Sequence, residues 1–143
     1  MGTRREGREI CLQFLYLWDN CGLKTPEVTS LVTSKKDSGA LDFAIKLLEQ
    51  IIAKQTLIDQ TIENCTLNWK LDRMAAVDRN ILRIATFELL QMPETPKKVI
   101  INEAVEIAKK FSTDESGKFV NGILDKIAKL REIPNPAHDA PAS

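Results

Sequence analysis

The sequence has few of the residues that enzyme and metal sites usually require. Its only histidine, His138, lies in a Pro/Ala-rich stretch, and its three cysteines are an odd number without close pair spacing (Cys11, Cys21 and Cys65). These residues predict neither a zinc site nor a disulfide framework. There is also no Gly-rich phosphate loop and no histidine that could serve a nucleophile. We therefore expect a protein that is not an enzyme, holds no metal or cofactor, and keeps Cys11 and Cys65 as buried free thiols.

The sequence also lacks net charge and long apolar runs. Twenty basic and twenty acidic residues cancel, so no overall field concentrates nucleic acid around the protein. Any RNA binding must therefore come from a local patch, and affinity for RNA alone should be modest. No apolar run approaches the ~20 residues of a membrane span, and the charged N-terminus lacks the apolar segment of a signal peptide. We expect a soluble, cytoplasmic protein with no membrane association.

What the sequence does contain is helical periodicity along most of its length, with no strand pattern. The apolar stripes and caps predict about seven helices: 4–20, a short one from Pro26, 41–64, a short one from Thr66, 75–92, and two within 96–131. With 143 residues, this indicates one all-α domain, a single compact bundle loosely divided into N- and C-terminal helical groups. We assign residues 1–131 to this domain. Residues 132–143 have no apolar period and are predicted to be a disordered tail.

The last two predicted helices are joined by a short polar turn and carry an unusual glycine. Three starts for the second helix remain open: a Ser112-x-x-Glu115 capping box, or Asp114 or Ser116 as N-cap. Gly122, after Asn121, falls in mid-helix, where glycine costs ~1 kcal/mol relative to alanine. Such a glycine indicates close backbone approach, more often by a packed helix and alternatively by a ligand.

Two stretches combine basic side chains with aromatic or amide groups, as single-stranded RNA binding requires. They are Arg4, Arg5 and Arg8 with Gln13 and Tyr16, and Lys118, Phe119 and Asn121 with Lys126. Composition alone favours a simpler interpretation of the first stretch, as solvated ion pairs such as Arg5–Glu9, because acidic residues interrupt it. Likewise Phe119 lies on the apolar stripe of its helix and could belong to the core.

Three segments, in order along nearly the whole chain, resemble the NusB family of bacterial transcription antitermination factors. They are RREGREICLQFLYLWD near the N-terminus, VDRNILRIATFELL in the centre, and KVIINEAVEIAKKFSTDESGKFVNGILDKI towards the C-terminus. The resemblance implies a protein that binds the boxA element of ribosomal RNA leader transcripts as a heterodimer with NusE, a small-subunit ribosomal protein. That complex helps RNA polymerase to resist termination.

The resemblance also assigns residues to these contacts. Arg4, Arg5 and Arg8 match the family's Arg-rich helix start, and Lys118, Phe119 and Asn121 match its Lys-Phe-Val-Asn-Gly, so it implies RNA contacts there. Tyr16 and Asp78 match positions on the surface that faces NusE or is shared with it. Glu6 and Gly117 depart from the family pattern, and Glu6 predicts weaker RNA binding.

Two other functions stay open at this point. One is a helical protein-interaction module in which RNA binding has been weakened or lost, which Glu6 and the zero net charge favour. The other is a detached accessory domain of an RNA methyltransferase. The sequence also leaves open a homodimer of the free protein.

Overall fold

The computed structural model describes residues 2–24, 26–27, 38–66 and 69–132. In these ranges we find no strand and six α-helices: α1 (Gly2–Cys21), α2 (Ser38–Ala53), α3 (Gln55–Cys65), α4 (Ala76–Gln91), α5 (Lys97–Phe111) and α6 (Asp114–Ala128). Two 3-10 turns, Leu71–Arg73 and Lys129–Glu132, complete the described structure. The all-α prediction is confirmed, and the helix number is close to the predicted seven. Pro26 and Glu27 are helical, but the rest of the short helix predicted there, and the predicted tail beyond Glu132, lie outside the described residues.

Helix α4 forms the centre of the bundle, as its broad apolar surface indicates. It packs against α1, α3, α5 and α6, and more lightly against α2. Pairs α1–α2 and α5–α6 form the two helical groups, and both groups bury their apolar faces on or beside α4. The buried residues of α4 include several polar ones: Asp78, Asn80, Arg83, Thr86 and Glu88. The core of the bundle therefore contains charged groups, and two of them form ion pairs with other helices, Glu88 with Arg8 and Arg83 with Asp59.

The long helix predicted over 41–64 is broken at Lys54, so that prediction is wrong in its continuity. Lys54 has φ −112° and ψ 22°, outside the α-helical region. The only large apolar side chain between Ile52 and Ile58 is that of Leu57, which is exposed. With no core-facing side chain in this interval, the chain can change direction there, and α3 then packs mainly on α4.

Thr66 ends α3 rather than beginning a new helix, which corrects a second predicted boundary. Its hydroxyl lies within hydrogen-bonding distance of the carbonyl oxygens of Glu63 (3.2 Å) and Trp69 (2.7 Å). The short helical segment that follows is the 3-10 turn Leu71–Arg73. A Thr hydroxyl can donate to local carbonyl oxygens as well as accept from the N–H groups at a helix start, so the sequence pattern alone does not fix which of these roles it takes.

The N-cap of α6 is Thr113, which is none of the three predicted caps. Its Oγ1 accepts a hydrogen bond from the Ser116 backbone N–H at 3.0 Å, the usual role of an N-cap hydroxyl. The Ser112 and Ser116 hydroxyls bond to each other at 2.8 Å. They are therefore engaged together across the first turn, and Asp114 and Glu115 follow the cap as first-turn acids that suit the helix dipole.

Arg131 ties the last described turn to the end of α4. Its guanidinium donates to the carbonyl oxygens of Leu89 (2.9 Å), Met92 (2.9 Å) and Thr95 (2.7 Å), and to that of Glu88 at 3.2 Å. These carbonyls include free ones at the C-terminus of a helix, where a cation is favourable. The contact fixes the end of α6 against the bundle. None of the helices in the described part of the chain is long and apolar enough to cross a membrane.

Candidate nucleic-acid interface

Arg8, predicted as a phosphate contact, lies inside the protein. Its side chain is 5% exposed and faces Glu88 of α4, which is 2% exposed. The guanidinium donates to both carboxylate oxygens, at 2.9 Å from Nε and 2.8 Å from Nη2, and lies 5.8 Å from the centre of the Phe43 ring. A buried arginine must be paired in this way. The structure therefore corrects the prediction: Arg8 is part of the fold and is not presented to RNA.

Arg4 and Arg5 are exposed at the start of α1, but the predicted Arg5–Glu9 pair does not form. Arg5 and Glu9 each pair instead with a residue of α5. Arg5 donates to Glu103 through Nε and Nη2, both at 2.6 Å, and Glu9 accepts from Lys110 Nζ at 2.9 Å. Helices α1 and α5 thus meet along a seam that has two ion pairs of opposite polarity at the surface, with the buried Arg8 at 3.7 Å from Glu103 behind them. The Arg5 hydrogen bonds lower the pKa of Glu103 against the opposing effect of its burial, so this carboxylate is ionised near neutral pH.

Gln13 and Tyr16 are exposed on α1, and Asp78 is nearly buried in the first turn of α4. Tyr16 lies between Glu9, which reaches α5, and Asp19, which pairs with Arg79 of α4 at 2.6 Å. Burial raises the pKa of Asp78, an effect that a hydrogen bond with Ser116 opposes. Its Oδ1 has no hydrogen-bond partner within the described structure. Asp78 therefore lies at the start of α4 with a buried oxygen that has no partner among the described residues, and Tyr16 lies on the exposed face of α1 about one turn before Asp19.

The second predicted stretch lines a surface groove beside α6. The groove has a volume of about 370 Å³ and is bordered by Cys65, Thr66, Trp69, Lys118, Phe119, Gly122, Ile123 and Lys126. Trp69 is 54% exposed, and its ring meets that of Phe119 edge-on, with centroids 6.0 Å apart and planes at 76°. Lys118 and Lys126 are exposed on α6. Asn121 is exposed on the same helix but does not line the groove. We call this feature the α6 groove.

Gly122 is open to the α6 groove and is not explained by packing. A Cβ atom built at this position would meet nothing within 4 Å among the described residues. The favoured interpretation of the sequence, close approach of a packed helix, is therefore wrong. Approach of a ligand is the alternative that remains for a glycine whose place in mid-helix carries a cost.

Sequence reasoning missed two aromatic residues at the surface. Trp69 is exposed, whereas Leu71 and Met74, its large apolar neighbours in the same short segment, are buried. Phe111 follows the apolar spacing of its helix but is 38% exposed, with Lys110 Nζ 5.4 Å from the centre of its ring. For Phe111, the sequence did offer a signal of exposure, since the residue follows Lys110 at the end of a predicted helix. No local signal distinguishes Trp69 from its two buried neighbours.

Together these features suit the binding of a flexible nucleic-acid strand, which carries negative phosphates and flat bases. Lysine and arginine side chains attract phosphates, and aromatic faces accept stacked bases with little dependence on sequence. In the described ranges, no group of three or more His, Cys, Asp or Glu side chains is arranged to hold a metal ion. The geometry thus favours binding of single-stranded nucleic acid on the α6 groove and the exposed arginines of α1.

Comparison with known proteins gives consistent matches. The model of the NusB family matches residues 5–129. Among curated proteins, the transcription antitermination protein NusB of Myxococcus xanthus (strain DK1622) is 46% identical over 140 residues, covering 94% of this chain and all of that protein.

Solved structures agree with the sequence matches. The structure of T. maritima NusB aligns with a TM-score of 0.80 and 38% identity, covering 88% of this chain and 90% of the other. A crystal structure of antitermination factors NusB and NusE in complex with dsRNA aligns with a TM-score of 0.78 and 29% identity, covering 91% and 98% of the two chains.

Proposed function

This chain belongs to the NusB family of transcription antitermination proteins, and we propose that it binds the boxA RNA of ribosomal RNA leader transcripts together with NusE. In this proposal the complex joins the antitermination assembly on RNA polymerase and supports ribosomal RNA synthesis in the cytoplasm. The protein itself supplies binding surface and no catalysis.

The α6 groove is the observation that carries the proposal. It brings two aromatic rings from distant parts of the sequence within 6.0 Å of each other, between exposed Lys118 and Lys126. An unstacked base can lie against an aromatic ring while the lysines contact its phosphates. Gly122 leaves room for the RNA backbone to approach the helix. Asn121, exposed beside the groove, offers an amide that can hydrogen-bond a base edge.

Arg4, Arg5 and Gln13 extend the proposed RNA contacts to α1. Their side chains are exposed on the helix whose seam with α5 lies next to the start of α6. Phe111, at the end of α5, adds an exposed aromatic ring near the Lys110–Glu9 pair, with Lys110 Nζ 5.4 Å from the centre of the ring. We leave Arg8 out of the proposed contacts because Glu88 holds its guanidinium inside the bundle.

We propose that NusE is the partner that this small basic surface needs in order to bind RNA tightly. The protein has no net charge, so a few exposed cations must act without a supporting field. A basic partner bound beside them adds phosphate contacts on the same RNA. We propose Tyr16 and Asp78 for the contact with NusE, because both match family positions on that surface; Tyr16 is exposed and can contact NusE directly, whereas the nearly buried Asp78 would act from the edge of the contact. A homodimer of the free protein could cover the same surface.

The test is binding of a short boxA RNA and a scrambled RNA, measured by fluorescence anisotropy across a salt series. The protein is used alone and mixed with NusE, and NusE is also measured by itself. We expect the mixture to bind boxA RNA most tightly, with the salt slope reduced by about 0.7 for each phosphate contact removed in Lys118→Ala or Lys126→Ala. Lys54→Ala is the control, because this exposed lysine lies at the α2–α3 break.

One outcome would overturn the proposal. If the mixture binds boxA RNA no better than NusE alone, the RNA role fails for this protein. The chain is then better described as a helical protein-interaction module.

A further inference from the structure

We propose that Glu103 is a positioning residue for RNA: it holds the guanidinium of Arg5 by one edge and leaves the other edge free for a phosphate. This inference rests on the proposed RNA-binding function. It assigns a role to an acidic residue that, judged by charge alone, should oppose RNA.

The hydrogen bonds define which edge of Arg5 is occupied. Nε donates to one carboxylate oxygen of Glu103 and Nη2 to the other, both at 2.6 Å. A guanidinium has five N–H groups in a planar fork. Three of them, two on Nη1 and one on Nη2, have no acceptor in the part of the chain that the structure describes. They form the end-on fork that binds a phosphate through two parallel hydrogen bonds. Arg5 is 44% exposed, so this edge is accessible to solvent.

Glu103 is itself held in place. It projects from α5, and its Oε1 lies 3.7 Å from Nη1 of the buried Arg8. Arg8 is fixed in turn by its three hydrogen bonds to Glu88. The exposed Arg5 is therefore connected through Glu103 to an ion pair in the core. A long, flexible side chain loses rotamer freedom when it binds a ligand, and this connection removes that freedom before RNA arrives.

The second ion pair of the seam shows why the arginine matters. Lys110 Nζ is bonded to both oxygens of Glu9, at 2.9 and 3.1 Å. An ammonium group is a point charge without a second planar edge. The Lys110–Glu9 pair therefore neutralises charge but presents no directed pair of donors to a phosphate. Of the two exposed pairs in the α1–α5 seam, only Arg5–Glu103 leaves a planar edge of the cation free and directed towards solvent.

The experiment compares two substitutions that remove the same charge from the same helix. Glu106, one turn away from Glu103 along α5, is 54% exposed and pairs only weakly with Lys109, at 3.8 Å. The full-length protein with Glu103→Gln or Glu106→Gln is mixed with NusE, and boxA RNA binding is measured by anisotropy. We expect Glu103→Gln to weaken binding by about 3- to 10-fold. Glu106→Gln should leave affinity unchanged or raise it slightly, because it removes a negative charge near RNA.

Two further variants separate position from charge. Glu103→Asp keeps the charge but is one methylene shorter, so it should also weaken binding because it no longer reaches both nitrogens of Arg5. In an Arg5→Ala background, Glu103→Gln should have no further effect, since it acts through Arg5. Thermal unfolding of each variant identifies any loss of affinity that comes from misfolding.

The outcomes distinguish this inference from the proposed function. If the wild-type mixture binds boxA RNA and Glu103→Gln tightens binding as much as Glu106→Gln does, Glu103 merely competes with phosphate and the inference is overturned alone. The inference is also overturned if Glu103→Gln lowers boxA affinity by the same factor in the Arg5→Ala background as in the wild-type background. If the wild-type mixture shows no boxA binding above NusE, the proposed function fails and the inference fails with it.

Discussion

The guanidinium of Arg8 and the carboxylate of Glu88 form a bidentate ion pair in the interior of the bundle, 80 residues apart in sequence. The pair joins α1 to α4. Arg8 matches an RNA-binding motif of the family, but here its guanidinium stabilises the fold. It also sets a clear expectation for mutation, because buried charges behave differently when one partner or both are removed.

Arg8→Ala is expected to lower the free energy of unfolding by about 3–5 kcal/mol, because it leaves the Glu88 carboxylate buried and unpaired. The double variant Arg8→Met, Glu88→Leu removes both charges and should recover most of this stability. Urea denaturation measures both. The double variant should lose less boxA affinity than Arg5→Ala does, because Arg8 only supports Glu103 at 3.7 Å, whereas Arg5 is proposed to bind phosphate itself. A stable double variant that loses as much affinity as Arg5→Ala would contradict the assignment of Arg8 to the fold alone.

Gly122→Ala is expected to stabilise the protein and weaken RNA binding at the same time. The new Cβ meets nothing within 4 Å, so α6 gains up to about 1 kcal/mol of helix propensity. The methyl group occupies the α6 groove, and boxA affinity should fall by about tenfold, or about 1.4 kcal/mol.

Gly117→Ala is the matched control for Gly122→Ala, because this glycine lies in the same helix but faces Lys109 of α5, whose Cγ would lie 3.1 Å from the new Cβ. It should leave RNA affinity unchanged. Equal losses of affinity in the two alanine variants would contradict a ligand role for Gly122.

Phe119→Leu and Trp69→Leu test stacking in the α6 groove. Leucine keeps apolar contact with the groove wall but offers no π face. Stacking of a base on an aromatic side chain contributes about 1–3 kcal/mol, so each variant should weaken boxA binding by about 5- to 150-fold. Leu57→Ala on α3 is the control for removal of an exposed apolar side chain. If only Phe119→Leu has an effect, Trp69 supports the ring of Phe119 and does not bind a base.

Asp19 gives the fold a dependence on pH. Burial opposes ionisation, but hydrogen bonds and charge from Arg79 and Arg83 lower the pKa of this carboxyl overall. The stability it contributes is therefore complete above the usual carboxylate pKa and is lost as pH falls through the lowered value. We expect Asp19→Asn to cost about 1–3 kcal/mol at neutral pH.

Urea titrations at neutral and acidic pH measure this effect. The difference between wild type and Asp19→Asn should begin to shrink as pH falls below about 4, the usual carboxylate pKa, and should vanish only below the lowered pKa of the folded state, where the wild-type group is protonated too. The exposed Asp42 provides a control, since Asp42→Asn should change stability little at either pH. A difference for Asp19→Asn that stays constant with pH would mean that its charge does not act through the two arginines.

The helices could be predicted from the sequence because each carries a long apolar stripe, and local periodicity is enough to identify such segments. The break at Lys54 could not, since it depends on how α3 packs against α4. Boundaries at Thr66 and Thr113 failed for a related reason: hydroxyl side chains suit several local hydrogen bonds, and tertiary packing selects among them.

The candidate site was predictable in part. The basic and aromatic residues of α6 are near one another in sequence, so their spacing alone brings them together. Trp69 joins them only through the folded chain, and Arg8 leaves them because Glu88, far away in sequence, provides a buried partner. Gly122 was recognisable as unusual, but only the open space around it distinguishes a ligand from a packed helix.

Photocrosslinking tests the central claim, that RNA lies in the α6 groove, most directly. A boxA RNA substituted with 4-thiouridine is bound by the mixture with NusE and irradiated, and crosslinked peptides are identified by mass spectrometry. We predict crosslinks in the peptides that contain Trp69 and Phe119, and their loss in Gly122→Ala. Crosslinks confined to NusE, or to α2 and α3 of this protein, would contradict the account.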